Sequence, residues 1–310
     1  EKPRWGKCLG SRTVCKSLDI NFMGIGVLPK WSQEKIKIMP KKRYEIMSKY
    51  MPKVGEHGLD MMKRTTTIQA NFDFSSTKDM QIKMRVAQSL QPCIIALYAN
   101  SPFIDGKLTE YQSYRSYIWT KTDKDRTGLL KFIYNKDFCF EDYTNYLLDI
   151  PMYFIVRNNE YIDLTGLTFR DYMKDSSGKF QPNMDDWKNH ITTVFPEVRL
   201  KSYIEVRGAD GGPWSRVCAL PAFWTGILYD EEMLNRVWDL AKSWKFHEIE
   251  NFYDQARVNG LDALAPNGEP MKIFLKKILN YSKIGLKNRK IVKKGHDESV
   301  FLKPLFENCF

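Results

Sequence analysis

The sequence predicts an α+β fold with an antiparallel sheet, and three observations carry that prediction. Two stretches, Arg64–Phe74 and Val198–Gly212, alternate apolar and polar residues with the period of two that marks half-buried strands. Two β-rich runs flank Asn158-Asn159, residues that tolerate the positive φ of a tight hairpin. Most of the chain after Gly212 instead repeats its apolar residues every three or four positions, as helices do.

In chain order, Ile20–Trp31 is apolar, broken by glycine and closed by Pro29, which reads as a short strand entering a loop. Met39–Met51 opens a helix after Pro40, with Tyr44, Met47 and Met51 on one stripe. In Arg64–Phe74 the even-numbered Ile68, Ala70, Phe72 and Phe74 make an apolar face, while Gln69, Asn71 and Asp73 stand on the other. Ser76-Thr77-Lys78-Asp79 has capping-box spacing and starts a helix that runs to about Asn100, interrupted near Pro92. Asn100–Gly128 reads as a long loop, and its Arg115, Trp119 and Arg126 among tyrosines are too aromatic for disorder. Pro151–Gly166 is the hairpin, and Met184–Phe195 a short helix. Val198–Gly212 reads as a strand with Arg199, Lys201, Tyr203, Glu205 and Arg207 on its polar face. Helices follow at Trp214–Leu228, Asp230–Trp244 and Pro270–Leu286. With no linker in sight, residues 20–290 form one domain between a segment 1–19 and a tail 291–310.

The 310 residues are 43% hydrophobic, enough for a sizeable core. The charge of +11 suits anionic small substrates, but the basic residues form no nucleic-acid patch; their densest run, Lys287–Lys294, reads as a solvated helix end. Six cysteines, at 8, 15, 93, 139, 218 and 309, lack zinc-like spacing, and the histidines are scattered. No run reaches membrane-spanning length and the first residues lack a signal-peptide core, so a reducing cytoplasm is the expected location. The chain opens on Glu1 rather than Met, which reads as a fragment.

Converging polar strand faces would gather Gln69, Asn71, Asp73, Glu205 and Arg207. A carboxylate and an amide oxygen are hard ligands of the kind magnesium accepts, and an arginine two residues along the same face can reach a phosphate. Gly208, Gly211 and Gly212 let the backbone turn or approach a ligand closely. Other chemistries lack their motifs: there is no P-loop, no dinucleotide fingerprint and no nucleophile elbow. Cys218 sits in an apolar helix and reads as core.

"LPKW", "MPKKRYEIM", "QANFDFSS", "YRSYIWT", "TDKDRTG", "DIPMYF", "YIEVRGADGGPW" and "CALPAFWTGILYD" follow one another in order. Together they resemble glutamate–cysteine ligases of the plant and proteobacterial type, from about Phe22 to about Lys287. The resemblance implies a glutamine-synthetase-like fold, an antiparallel sheet curved into a funnel and packed by helices. It implies ATP and Mg2+ as cofactors, glutamate and cysteine as substrates, and an acyl-phosphate route to γ-glutamylcysteine. It implies Glu205 and Gln69 at the metal, Arg207 on the transferred phosphate, and Asn71 and Arg126 at the nucleotide. Arg43 and Arg115 would hold glutamate, Tyr153 would line the cysteine pocket, and Arg64 would join the substrate site. Two departures stand out. The family's acidic "EHEKF"-type motif is absent, which leaves open a chain that does not catalyse alone. Leu164 replaces a cysteine that plant members use in a regulatory disulfide, so no such redox switch is expected.

Overall fold

The alternating stretches do pair, and they pair antiparallel. In the computed structural model, Ile204–Asp210 is the middle strand of a three-stranded sheet, flanked by Thr67–Phe72 and Val198–Leu200. The structure describes residues 14–175, 178–293 and 295–309. Expectations for residues 1–13, with Cys8, and for Lys294 lie outside the described residues.

The predicted strand Val198–Gly212 is a hairpin. It turns at Lys201–Tyr203, where the Lys201 N–H donates to the Tyr203 carbonyl at 2.8 Å. The odd-numbered polar residues still share one face, because the register sets Arg199 opposite Glu205. The strand predicted from Arg64 begins only at Thr67, since Gly58–Arg64 is a helix with Arg64 as its last residue. Its apolar side is buried at Ile68 and Phe72 against helices Thr77–Ser89, Gln91–Tyr98 and Trp214–Leu228. The Ser76 hydroxyl accepts from the Asp79 N–H at 3.2 Å and caps the first of these. The break at Pro92 is present, with Leu90 between the two helices.

Asn100–Gly128 is not a loop throughout. It contains a two-strand turn, Phe103–Ile104 with Lys107–Leu108, and the helix Tyr114–Thr120. Ring packing organises it: Tyr111 stacks on Tyr117 with centroids 4.4 Å apart, and both lie against Tyr114. The hairpin Phe154–Arg157 with Glu160–Asp163 turns through Asn158 and Asn159, at φ 49° and 64°. Ile20–Trp31 contributes only an isolated bridge from Val27 to Thr65. A helix that the sequence reading passes over, Phe246–Asn259, buries Ile249, Phe252, Tyr253 and Ala256.

Helices Trp214–Leu228 and Met271–Asn288 touch backbone to backbone. A Cβ on Gly285 would overlap the Gly226 carbonyl, and one on Gly226 would overlap the Ser282 carbonyl. Gly285→Ala is expected to destabilise the protein by about 1–3 kcal/mol through overpacking, read as a lower urea midpoint. None of the described helices is long and apolar enough to cross a membrane.

Candidate active site

A β-bulge lies at the centre of the sheet. Ile68 stands opposite Ala209 and Ala70 opposite Val206, so Gln69 faces two residues, Arg207 and Gly208. Bulges leave backbone groups without ladder partners and re-aim side chains. Here Arg115 supplies the missing donors: its Nη2 donates to the Arg207 carbonyl at 2.9 Å and its Nη1 to the Gly208 carbonyl at 3.2 Å. The Gly208 N–H donates to Gln91 Oε1 at 3.2 Å, and a Cβ at this glycine would overlap that same amide oxygen.

On the polar face of the bulge three charged side chains meet. Glu205 Oε2 accepts from Arg199 Nε at 2.6 Å and from Arg207 Nη1 at 3.0 Å. Arg207 Nη1 also donates to Gln69 Oε1 at 3.2 Å. Asn71 stands directly across from Glu205 in the register, with its side chain exposed. Glu205 and Arg207 are each only 7% exposed. The Arg207 guanidinium lies 5.7 Å from the Trp119 ring and 5.6 Å from Phe195.

Burial alone would raise the Glu205 carboxyl, but Arg207 and Arg199 outweigh it and hold it below the usual range. Burial, with Arg199 next, pushes Arg207 down to about 10. Arg207 therefore stays charged at neutral pH in a site with two guanidinium groups for one carboxylate. That surplus suits an incoming anion such as a phosphoryl group.

The other expected site residues are dispersed. Arg115 is joined to the bulge through backbone, and its guanidinium lies 5.6 Å from Trp119. Arg126 is 0% exposed and fully engaged: Nε donates to Asp123 Oδ2 at 2.5 Å and Nη2 to the Pro151 carbonyl at 2.9 Å. Its guanidinium lies 4.0 Å from the Tyr153 ring. Tyr153 is buried, its hydroxyl 3.6 Å from Met51 Sδ, and burial pushes its pKa up. Arg43 packs on Tyr44 and Phe154 at 5.7 Å each, and its buried Nε has no hydrogen-bond partner. Arg64 bridges Asp60 at 3.0 Å and Asp105 at 2.7 Å, tying its helix to the Phe103–Leu108 turn. Asp73 leaves the Glu205 group altogether and lines a cavity of about 850 Å³ with Lys83, Tyr229 and Trp238.

Magnesium needs several oxygen ligands. Among the described residues no group of three His, Cys, Asp or Glu side chains is gathered to hold a metal ion. Two guanidinium groups already occupy Glu205 Oε2, and the other carboxylate near the bulge, Glu197, accepts from the Tyr253 hydroxyl at 2.5 Å and lies where a Cβ at Gly208 would meet it. The residues present here do not fit a magnesium site by themselves; they fit an anion.

Sequence reasoning does not single out Arg199, Trp119, Phe195 or Asp210 as site residues. Arg199 carries a usable signal, the same odd parity as Glu205 and Arg207. Trp119 arrives from the helix Tyr114–Thr120, and Phe195 from the short strand Phe195–Pro196 that pairs parallel with Thr127–Gly128; no local pattern places either.

The family profile described as glutamate–cysteine ligase family 2 matches residues 11–270. The chain is 51% identical over 302 residues to the chloroplastic glutamate–cysteine ligase of Medicago truncatula, covering 96% of this chain and 58% of the relative. Against the chloroplastic glutamate–cysteine ligase of Arabidopsis thaliana the identity is 50%, covering 96% of this chain and 56% of the relative. Against the chloroplastic glutamate–cysteine ligase B of Oryza sativa subsp. japonica it is 50%, covering 95% and 59%. The chain thus spans a little under three fifths of the length of these curated relatives. The cytoplasmic expectation is corrected by these matches: all three relatives are chloroplastic, which points to a plastid. Reduced thiols and a hydrophilic chain suit either compartment, so the composition could not separate them.

Proposed function

The chain belongs to glutamate–cysteine ligase family 2, and from that premise we propose that it joins L-glutamate to L-cysteine with ATP, the first step of glutathione biosynthesis. The observation that carries this reading is identity of about half the residues over 96% of the chain to ligases so named. In the proposed reaction the glutamate γ-carboxylate attacks the terminal phosphorus of ATP, giving an acyl phosphate and ADP. The cysteine amine then attacks the acyl carbon, phosphate departs with the bonding pair, and the nitrogen loses a proton.

Phosphoryl transfer asks the protein mainly for positioning and charge neutralisation. Arg207, held against Glu205 and Gln69 and supplemented by Arg199, is the group we assign to the transferred phosphoryl. Asn71, exposed on the same face, is assigned to the nucleotide. Arg43, whose guanidinium has no ion pair among the described residues, is assigned with Arg115 to the glutamate carboxylates. Arg126 and Tyr153 pack on each other, and from the family resemblance we assign Tyr153 to the cysteine pocket and Arg126 to the nucleotide side. Arg64 anchors the neighbouring turn. Glu205 and Gln69, expected at the metal, here accept from Arg207 instead, so we assign them to holding that guanidinium and assign no magnesium ligand. We read the three-stranded sheet as part of a curved antiparallel funnel, with residues 20–290 as the catalytic unit.

The test is ADP release by the purified chain with glutamate, cysteine and magnesium, beside a version extended to the relatives' length. ADP formation that requires both amino acids is expected. Absence of glutamate-dependent ADP in both versions overturns the reading. Equal rates with cysteine and with other amines would keep the ligase class but reject cysteine as the acceptor.

A further inference from the structure

The bulge that carries Arg207 has a buried anchor at the far end of the same strand. Asp210, 1% exposed, accepts three hydrogen bonds: from the Ser101 hydroxyl at 2.6 Å, the Asn100 N–H at 2.9 Å and the Ser113 hydroxyl at 2.8 Å. Both hydroxyls pass the constraint on. Ser101 Oγ accepts from the Arg115 N–H at 3.1 Å. Ser113 Oγ accepts from the Ser116 N–H at 3.2 Å and so caps the helix Tyr114–Thr120. That helix delivers Arg115 to the carbonyls of Arg207 and Gly208, and Trp119 to the guanidinium groups of Arg115 and Arg207.

One strand, Ile204–Asp210, is therefore gripped by one helix at residues 207, 208 and 210. The grip uses only buried polar groups, and each replaces a partner that the bulge or the helix end would otherwise lack. Such a network holds one geometry when complete and loses it when any member goes. A sub-ångström error in a guanidinium facing a phosphoryl group is enough to slow chemistry.

We propose that Asp210 is a positioning residue of the ligase site: through Ser101 and Ser113 it sets the helix that places Arg115 and aims Arg207. This rests on the functional reading above, in which Arg115 and Arg207 face substrate. Ser101 and Ser113 are its intermediaries, and their joint replacement by alanine should reproduce the loss of Asp210.

The experiment compares the wild-type chain with Asp210→Asn and with Ser101→Ala/Ser113→Ala, in hydrogen–deuterium exchange and in the ADP-release assay. Exchange in Tyr114–Thr120 is expected to quicken at least tenfold in both variants while Met271–Asn288 keeps its protection. The KM for glutamate is expected to rise at least fivefold with a tenfold loss of kcat, and the KM for cysteine to stay within twofold. A merely structural role would reduce the active fraction and leave both KM values alone. Unchanged exchange in Tyr114–Thr120, or protection lost evenly over the whole chain, overturns the proposal. So does local loosening with wild-type kinetics. A wild type that makes no ADP at either length rejects the functional reading and with it the ligase role of Asp210, while the exchange result still decides whether Asp210 holds the helix.

Discussion

Replacing Glu205 by glutamine is expected to destabilise the folded chain by about 3–5 kcal/mol, more than removal of either arginine that it binds. The reason is asymmetry. With Glu205 present, Arg199 and Arg207 share one carboxylate oxygen in a site almost closed to water. The glutamine keeps the shape but leaves two buried cations uncompensated. The pH dependence gives an independent check. The Glu205 carboxyl is held below its unfolded value, so its stabilisation is complete above that value and is lost as pH falls through the folded one. Wild type should therefore lose this advantage on acidification below about pH 4.3, where unfolded glutamate titrates, and the variant should show a flatter acid limb. Urea titrations at pH 7 and across the acid range measure both. Adding Arg199→Gln to the variant should recover part of the loss, since it removes one orphaned charge. A cost below about 1 kcal/mol at pH 7 would reject the view that this carboxylate is the keystone of the cluster.

Arg207→Lys is expected to lower kcat/KM by about 10²–10³ with little change in stability. A lysine cannot bridge Glu205 and Gln69 as a planar fork, nor stack on Trp119 and Phe195 in the same way. Stability should hold because Glu205 keeps Arg199, and because crowding among Arg207, Arg199 and Arg115 is relieved. The burial and the Arg199 charge that bring Arg207 down to about 10 would act on a lysine from a lower starting value, near 10.4. The lysine therefore loses its proton much nearer neutrality, and residual activity should rise as pH is lowered, because the charged form predominates below its pKa. Rate against pH in the ADP assay, beside a thermal melt, separates this outcome from simple unfolding. Full activity in the variant would reject the proposed assignment of Arg207 to the transferred phosphoryl.

Periodicity and local chemistry are what the sequence by itself determined. The alternation of Ile68, Ala70 and Phe72 with Gln69 and Asn71, the Ser76 cap, the break at Pro92 and the Asn158-Asn159 turn all depend on residues within a few positions of one another. The signal for the Phe246–Asn259 helix is equally local, in the spacing of Ile249, Phe252, Tyr253 and Ala256. The resemblance to a ligase family was legible too, because long ordered motifs need no coordinates.

Tertiary structure decided the rest. The turn at Lys201–Tyr203 carries no Gly, Pro or Asn, and what closes it is the pairing of Arg199 with Glu205. The bulge at Arg207-Gly208 exists because Arg115 and Gln91, each far away in sequence, satisfy its backbone groups. Arg126 and Arg207 look alike as isolated arginines in a motif. One is sealed beneath Tyr153 beside Asp123 and the other faces a surplus of positive charge. Burial and charge balance are sums over neighbours from many segments, and no single stretch of chain contains the sum.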